Sequence, residues 1–130
     1  MIARTLRLPL PIPMQESGLR PVAHLVHGNH DKDFRDTGCF ESDSYYRKIR
    51  LSGRKVILFH YPIAEWDGKW RGSIHLHGHS HNGPEYNRLS IEQGLLRFDV
   101  GVDANSFMPV SEGAVLELAR QAEANNRSCN

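Results

Sequence analysis

At 130 residues, 39% of them hydrophobic and 24% charged, the chain has the composition of one globular domain with a real core and no room for a second. A net charge of +1 excludes a blanket basic coat for nucleic acid, and no apolar run is long enough to cross a membrane. Two cysteines, Cys39 and Cys129, do not make a disulfide framework, so a reducing compartment and a cytoplasmic location are expected.

The opening MIARTLRLPLPIPM is basic and apolar, but Pro9, Pro11 and Pro13 interrupt it. Each removes a backbone donor and restricts its predecessor, which argues against a helix and a signal peptide. Met1 to about Arg20 reads as an irregular arm, followed by one domain over 21–124 and a polar tail over 125–130. Val22 to Val26 reads as a buried strand running into a loop at Gly28, and Asp31 to Ser44 as loop. Tyr45 to Leu51 and Lys55 to His60 flank Ser52-Gly53 and predict a hairpin, with the apolar run Val56-Ile57-Leu58-Phe59 as a central strand. Pro62 ends that strand, and Ala64 to Trp70 predicts a helical turn with Trp66 and Trp70 on one face. Ser73 to His77 and Leu95 to Val102 read as further strands. Ser111 is an N-cap, and Val115, Leu118, Ala119 and Ala122 recur at helical spacing to about Ala124. Strands alternating with loops and helices predict an α/β architecture, with reactive residues in the loops beyond the strand ends.

Eight histidines are the compositional outlier, and four of them fall between Ile74 and Asn82. Asn29, between Gly28 and His30, is either a turn asparagine or a metal ligand. His60 closes an apolar strand, where a core histidine bonded to backbone is the plain alternative. His79 and His81 lie two apart and, in extended chain, project to the same side. His75 and His77 share that parity but precede Gly78, so they are expected to face the sheet or to support ligands. Trp66 and Trp70 are read as packing residues, with base stacking as the sharper alternative; Lys69 and Arg71 either steer phosphate or are solvated.

In sequence order, strand–Gly28-Asn29-His30-Asp31, strand–His60 and strand–Gly78-His79-Ser80-His81 resemble the calcineurin-like metallophosphoesterase family. Val100-Gly101-Val102-Asp103, Pro109-Val110-Ser111 and His60-Tyr61-Pro62 with Glu65-Trp66 are similar to its small bacterial and phage members, so the likeness runs from about Val22 to Leu118. The resemblance implies part of that family's β-sandwich flanked by helices. It also implies hydrolysis of a phosphomonoester or phosphodiester by metal-activated water between two ions. Asn29, His60 and His79 would hold one ion and His81 the other. His30 would protonate or stabilise the leaving oxygen, with Asp31 fixing its tautomer. Manganese is the implied metal, and iron or zinc also suits the oxygen and nitrogen donors.

The family's first two motifs, Asp-x-His and Gly-Asp-x-x-Asp, should precede Asn29, yet no aspartate stands between Met1 and Gly28. Glu16 is the only carboxylate there, and His24 and His27 the only histidines. One ion at the Asn29, His60, His79 site is therefore expected. The chain would be the C-terminal part of the family fold, or would take its missing ligands from a partner chain. The alternative to an enzyme is a non-catalytic metal-binding or interaction module, a remnant of the family. Nucleic acid is expected only as substrate, since no basic stripe runs along the sequence.

Overall fold

A computed structural model describes residues 22–31 and 40–128; the expected N-terminal arm and both cysteines lie outside them. The architecture is α/β, with two helices and two sheets. The main sheet has the order β3-β4-β5-β6, formed by Tyr46–Leu51, Arg54–Phe59, Ile74–His77 and Arg97–Asp99. β3 and β4 pair antiparallel, while β4–β5 and β5–β6 are parallel. Ser52 and Gly53 join the hairpin with φ of 48° and 82°. Two successive left-handed residues give the turn whose twist matches the flanking strands.

The apolar run of β4 is central, as expected. Val56 and Ile57 are wholly buried, together with Ile74 from the neighbouring β5 and Phe98 from β6 beyond it. A parallel strand covered on both faces needs such a run, and each large side chain contributes about 2 kcal/mol of burial. Helix α2, Glu112–Ser128, lays Val115, Ala119 and Ala122 into the same core. Ser111 Oγ accepts the Ala114 N–H at 3.1 Å, which is the N-cap read from the sequence.

Four features depart from the expected elements. The second sheet pairs β1, His24–Val26, in parallel with β2, Ser42–Ser44, where loop was expected. The polar Ser-Asp-Ser segment carries no apolar pattern, and its side chains bond to β1: Ser42 Oγ with His24 Nδ1 at 2.8 Å, Asp43 with His27 at 2.6 Å. Helix α1, Glu85–Glu92, is short and polar and answers to no element read from the sequence. It ends with Gly94 at φ 65°, Gly94 N–H to Ile91 C=O and Leu95 N–H to Ser90 C=O, a Schellman closure. That closure takes up Leu95, so β6 begins only at Arg97. The expected tail at Asn125 is helix instead, because Asn125 Nδ2 donates to Ile91 C=O and Asn126 Nδ2 to Gly94 C=O, docking α2 onto the end of α1.

The turn after β4 also differs. A 3-10 segment, Lys69–Arg71, replaces the longer helical turn, and the tryptophans part company. Trp66 is buried and donates to Ser73 C=O at 3.1 Å, whereas Trp70 is 83% exposed beneath the Lys69 ammonium.

Among the described residues, no helix is long and apolar enough to cross a membrane.

Candidate metal centre

Sheet register brings two of the candidate ligands together. Leu58 pairs with Leu76 in the parallel β4–β5 ladder. Two residues on, the Gly78 N–H donates to the His60 C=O at 3.1 Å, so His79 emerges directly beside His60. The third arrives from the loop after β1. There Asp31 N–H bonds Gly28 C=O, and the Gly28 N–H donates to Asp31 Oδ2 at 2.7 Å, closing a turn that holds Asn29 and His30 outward.

Asn29 Oδ1, His60 Nε2 and His79 Nδ1 then form a triangle. Its sides are 2.8 Å (Asn29–His60), 3.3 Å (Asn29–His79) and 3.2 Å (His60–His79). Donors at right angles on one ion, each about 2.1 Å from it, stand about 3.0 Å apart. The triangle has that size, so the donor set fits three adjacent positions around a single divalent ion.

Protons alone do not satisfy it. The amide oxygen only accepts. If His60 Nε2–H donates to it, that nitrogen has no lone pair left for His79 Nδ1–H. If both imidazoles point N–H at the oxygen, the two N–H groups confront each other. A cation relieves every contact at once. His60 is also suited to remain a neutral, coordinating ring, since its pKa is pushed down to about 4. Burial is the largest cause, and the positive charges of His79 and His30 add to it against Asp31.

The expectation that His79 and His81 project to one side does not hold. β5 stops at His77, and His79 and His81 both adopt left-handed backbone, with φ of 67° and 48°. The extended-chain alternation is lost there. His79 turns to the triangle, while the exposed His81 pairs its Nδ1 with Asp103 Oδ2 at 2.7 Å. Left-handed backbone at a residue with a Cβ costs about 1–2 kcal/mol, and such strain concentrates at functional sites.

His30 is exposed beside the triangle, close enough for its charge to act on His60. The Asp31 carboxylate accepts the Gly28 N–H, which anchors the turn. Partial burial works to raise the Asp31 pKa and the Gly28 N–H works to lower it; the net shift is downward.

His75 and His77 belong to the sheet, as expected of residues before Gly78. Both are fully buried. His75 Nδ1 lies 3.3 Å from Ile57 C=O, and its Nε2 accepts the Ile63 N–H at 3.3 Å. His77 Nε2 meets the Tyr86 hydroxyl at 3.1 Å.

Among the described residues, no three His, Cys, Asp or Glu side chains gather as a metal group; the triangle counts two imidazoles and an amide. Comparison with protein-family models, with curated proteins and with solved structures found no match to this chain.

Three contributors have no role assigned from the sequence, although Tyr61 and Asp103 stand in segments that carry the resemblance. Tyr61 lays its ring 4.4 Å from that of His79 and 4.9 Å from that of His60, walling one side of the triangle. Its position directly after His60 was the available signal. Asp103 holds His81. The third is the buried Asp99, whose Oδ2 accepts from Asn82 Nδ2 and Oδ1 from the Gly101 N–H, both at 2.7 Å. Asp99 thus ties the end of the histidine loop to the segment that carries Asp103. A polar knot of this kind leaves no periodic trace in sequence.

Proposed function

We propose that the chain is a metal-dependent phosphoesterase of metallophosphoesterase type that holds one divalent ion through Asn29, His60 and His79. The convergence of Asn29 Oδ1, His60 Nε2 and His79 Nδ1 within 3.3 Å of one another carries this reading. Manganese, iron or zinc suits two imidazoles and an amide oxygen, with no thiolate in the set. A bound ion would supply Lewis acidity, withdrawing charge from a phosphoryl oxygen and making water a competent nucleophile at neutral pH. The residues do the rest. Burial keeps His60 unprotonated, and the Tyr61 ring packs against that of His79. The Gly28–Asp31 turn presents His30 outward, where its ring would stabilise or protonate the leaving oxygen of a phosphate ester. His81, held by Asp103, would meet a phosphate oxygen or a second ion only after leaving that partner.

The pairing of His81 with Asp103 favours a second reading, a metal-binding module without turnover, because it leaves a single three-donor site. Hydrolysis of an aryl phosphate ester by the manganese-loaded chain separates the two. The enzyme reading expects turnover that EDTA abolishes and that falls by about 100-fold in His30→Ala with metal content unchanged. Metal uptake without turnover would establish the module instead.

A further inference from the structure

A concentration of positive charge lies at the other end of the sheet. Arg50, Arg54, Lys55 and Arg71 line a cleft of about 320 Å³, floored by Gly53, Gly68, Gly72 and Ser73. That volume is at the small end of ligand-sized sites. A Cβ at Gly53 would meet nothing, and one at Gly72 would lie 3.8 Å from both Arg54 Nη2 and Glu123 Oε1.

The cations outnumber their partners. Asp67 alone answers Lys48 at 2.8 Å, Lys55 at 3.2 Å and Arg71 at 3.7 Å. Arg54 pairs with Glu123. Arg50 donates only to the Gly53 C=O and has no carboxylate partner among the described residues. The four cations of the cleft, with Lys48 sharing Asp67 beside them, thus meet two carboxylates, five charges against two. If Glu112 is counted, which accepts from Ser52 Oγ at the hairpin turn, an excess of two still remains. The whole chain carries only +1, so the rest of the molecule is net negative and this cleft is where positive charge has been gathered.

We propose that this cleft is a binding site for the phosphate chain of a polyphosphate-bearing small molecule, separate from the metal centre and independent of the phosphoesterase reading. Arginine forks bind phosphate oxygens bidentately, and Arg50 and Arg71 have donors to spare for it. β4 starts at this cleft with Arg54 and ends at Phe59, next to His60. Six residues of strand separate the two sites by about 20 Å, too far for one small phosphate ester to touch both.

The test is titration of the EDTA-treated full chain with inorganic tripolyphosphate at about 150 mM sodium chloride, where loose surface attraction is screened. Saturable one-site binding is expected. In the double variant Arg50→Gln/Arg71→Gln it should weaken by at least about tenfold, because two exposed charge-assisted donors are lost, with the melting temperature unchanged. His79→Ala should bind as wild type does. ATP should bind within about threefold of tripolyphosphate, since the recognition is of phosphate oxygens and not of a base. No saturable binding overturns the proposal. So does binding that survives the double variant, disappears in His79→Ala, or is more than about tenfold tighter for ATP.

Discussion

Acid should destabilise this fold through His75, and the size of the effect follows from its surroundings. The ring is wholly buried between β4 and the segment after it, and its pKa is held down to about 4 against an ordinary imidazole value of 6.5. Burial is the main cause, with the charges of His77 and Arg97 adding to it, while the Ile57 and Tyr61 carbonyls pull the other way. The neutral ring suits its site, because Nδ1–H faces the Ile57 C=O and Nε2 accepts the Ile63 N–H. A proton on Nε2 would turn toward Tyr61 C=O, 3.2 Å away, and leave the Ile63 N–H without its acceptor. The folded pKa is lower than the unfolded one. Stability is therefore complete above pH 6.5, is lost as pH falls because the unfolded chain takes the proton first, and levels off near pH 4. At about 1.4 kcal/mol per unit, the full loss is about 3 kcal/mol, a large share of a small domain's stability. Urea unfolding of metal-free protein between pH 7.5 and 4 measures it. His75→Gln should flatten the profile by close to one proton relative to wild type, whatever constant offset it adds. Identical slopes in the two proteins would refute the assignment, since His60 and His77 remain in both.

Other outcomes follow from the same structure. Gly94→Ala places a Cβ 1.9 Å from Asn126 Oδ1 at a left-handed residue, so it should cost about 2 kcal/mol in urea unfolding. Gly53→Ala meets no neighbour and should cost only about 1 kcal/mol, for backbone strain alone; the difference between the two glycines is the readout. Asp103→Asn should leave bound manganese unchanged in elemental analysis, because His81 stands outside the donor triangle.

Much of the main sheet is legible in the sequence. Continuous apolar character marked β4, and Ser52-Gly53 marked the hairpin, because both are local signals that tertiary context reinforces. β2 and α1 were not legible. Ser42-Asp43-Ser44 forms strand through its contacts with His24 and His27, and α1 is a short polar helix held by the bonds of Asn87 to Asp99 and by its glycine closure. The candidate site divides in the same way. Asn29, His60 and His79 were named through the resemblance of the three segments that carry them, and strand register aligns two of them. His81 was placed beside His79 by assuming extended chain, and two left-handed residues redirected it to Asp103. Backbone reversal of that kind, at residues other than glycine, is invisible to spacing.

The most direct measurement is manganese bound per chain, by elemental analysis after loading and desalting, in wild type, Asn29→Ala and His79→Ala. One ion in wild type and a large loss in each variant are expected, since either change removes a vertex of the triangle. No bound manganese in wild type, or equal content in all three proteins, would contradict a metal centre at Asn29, His60 and His79.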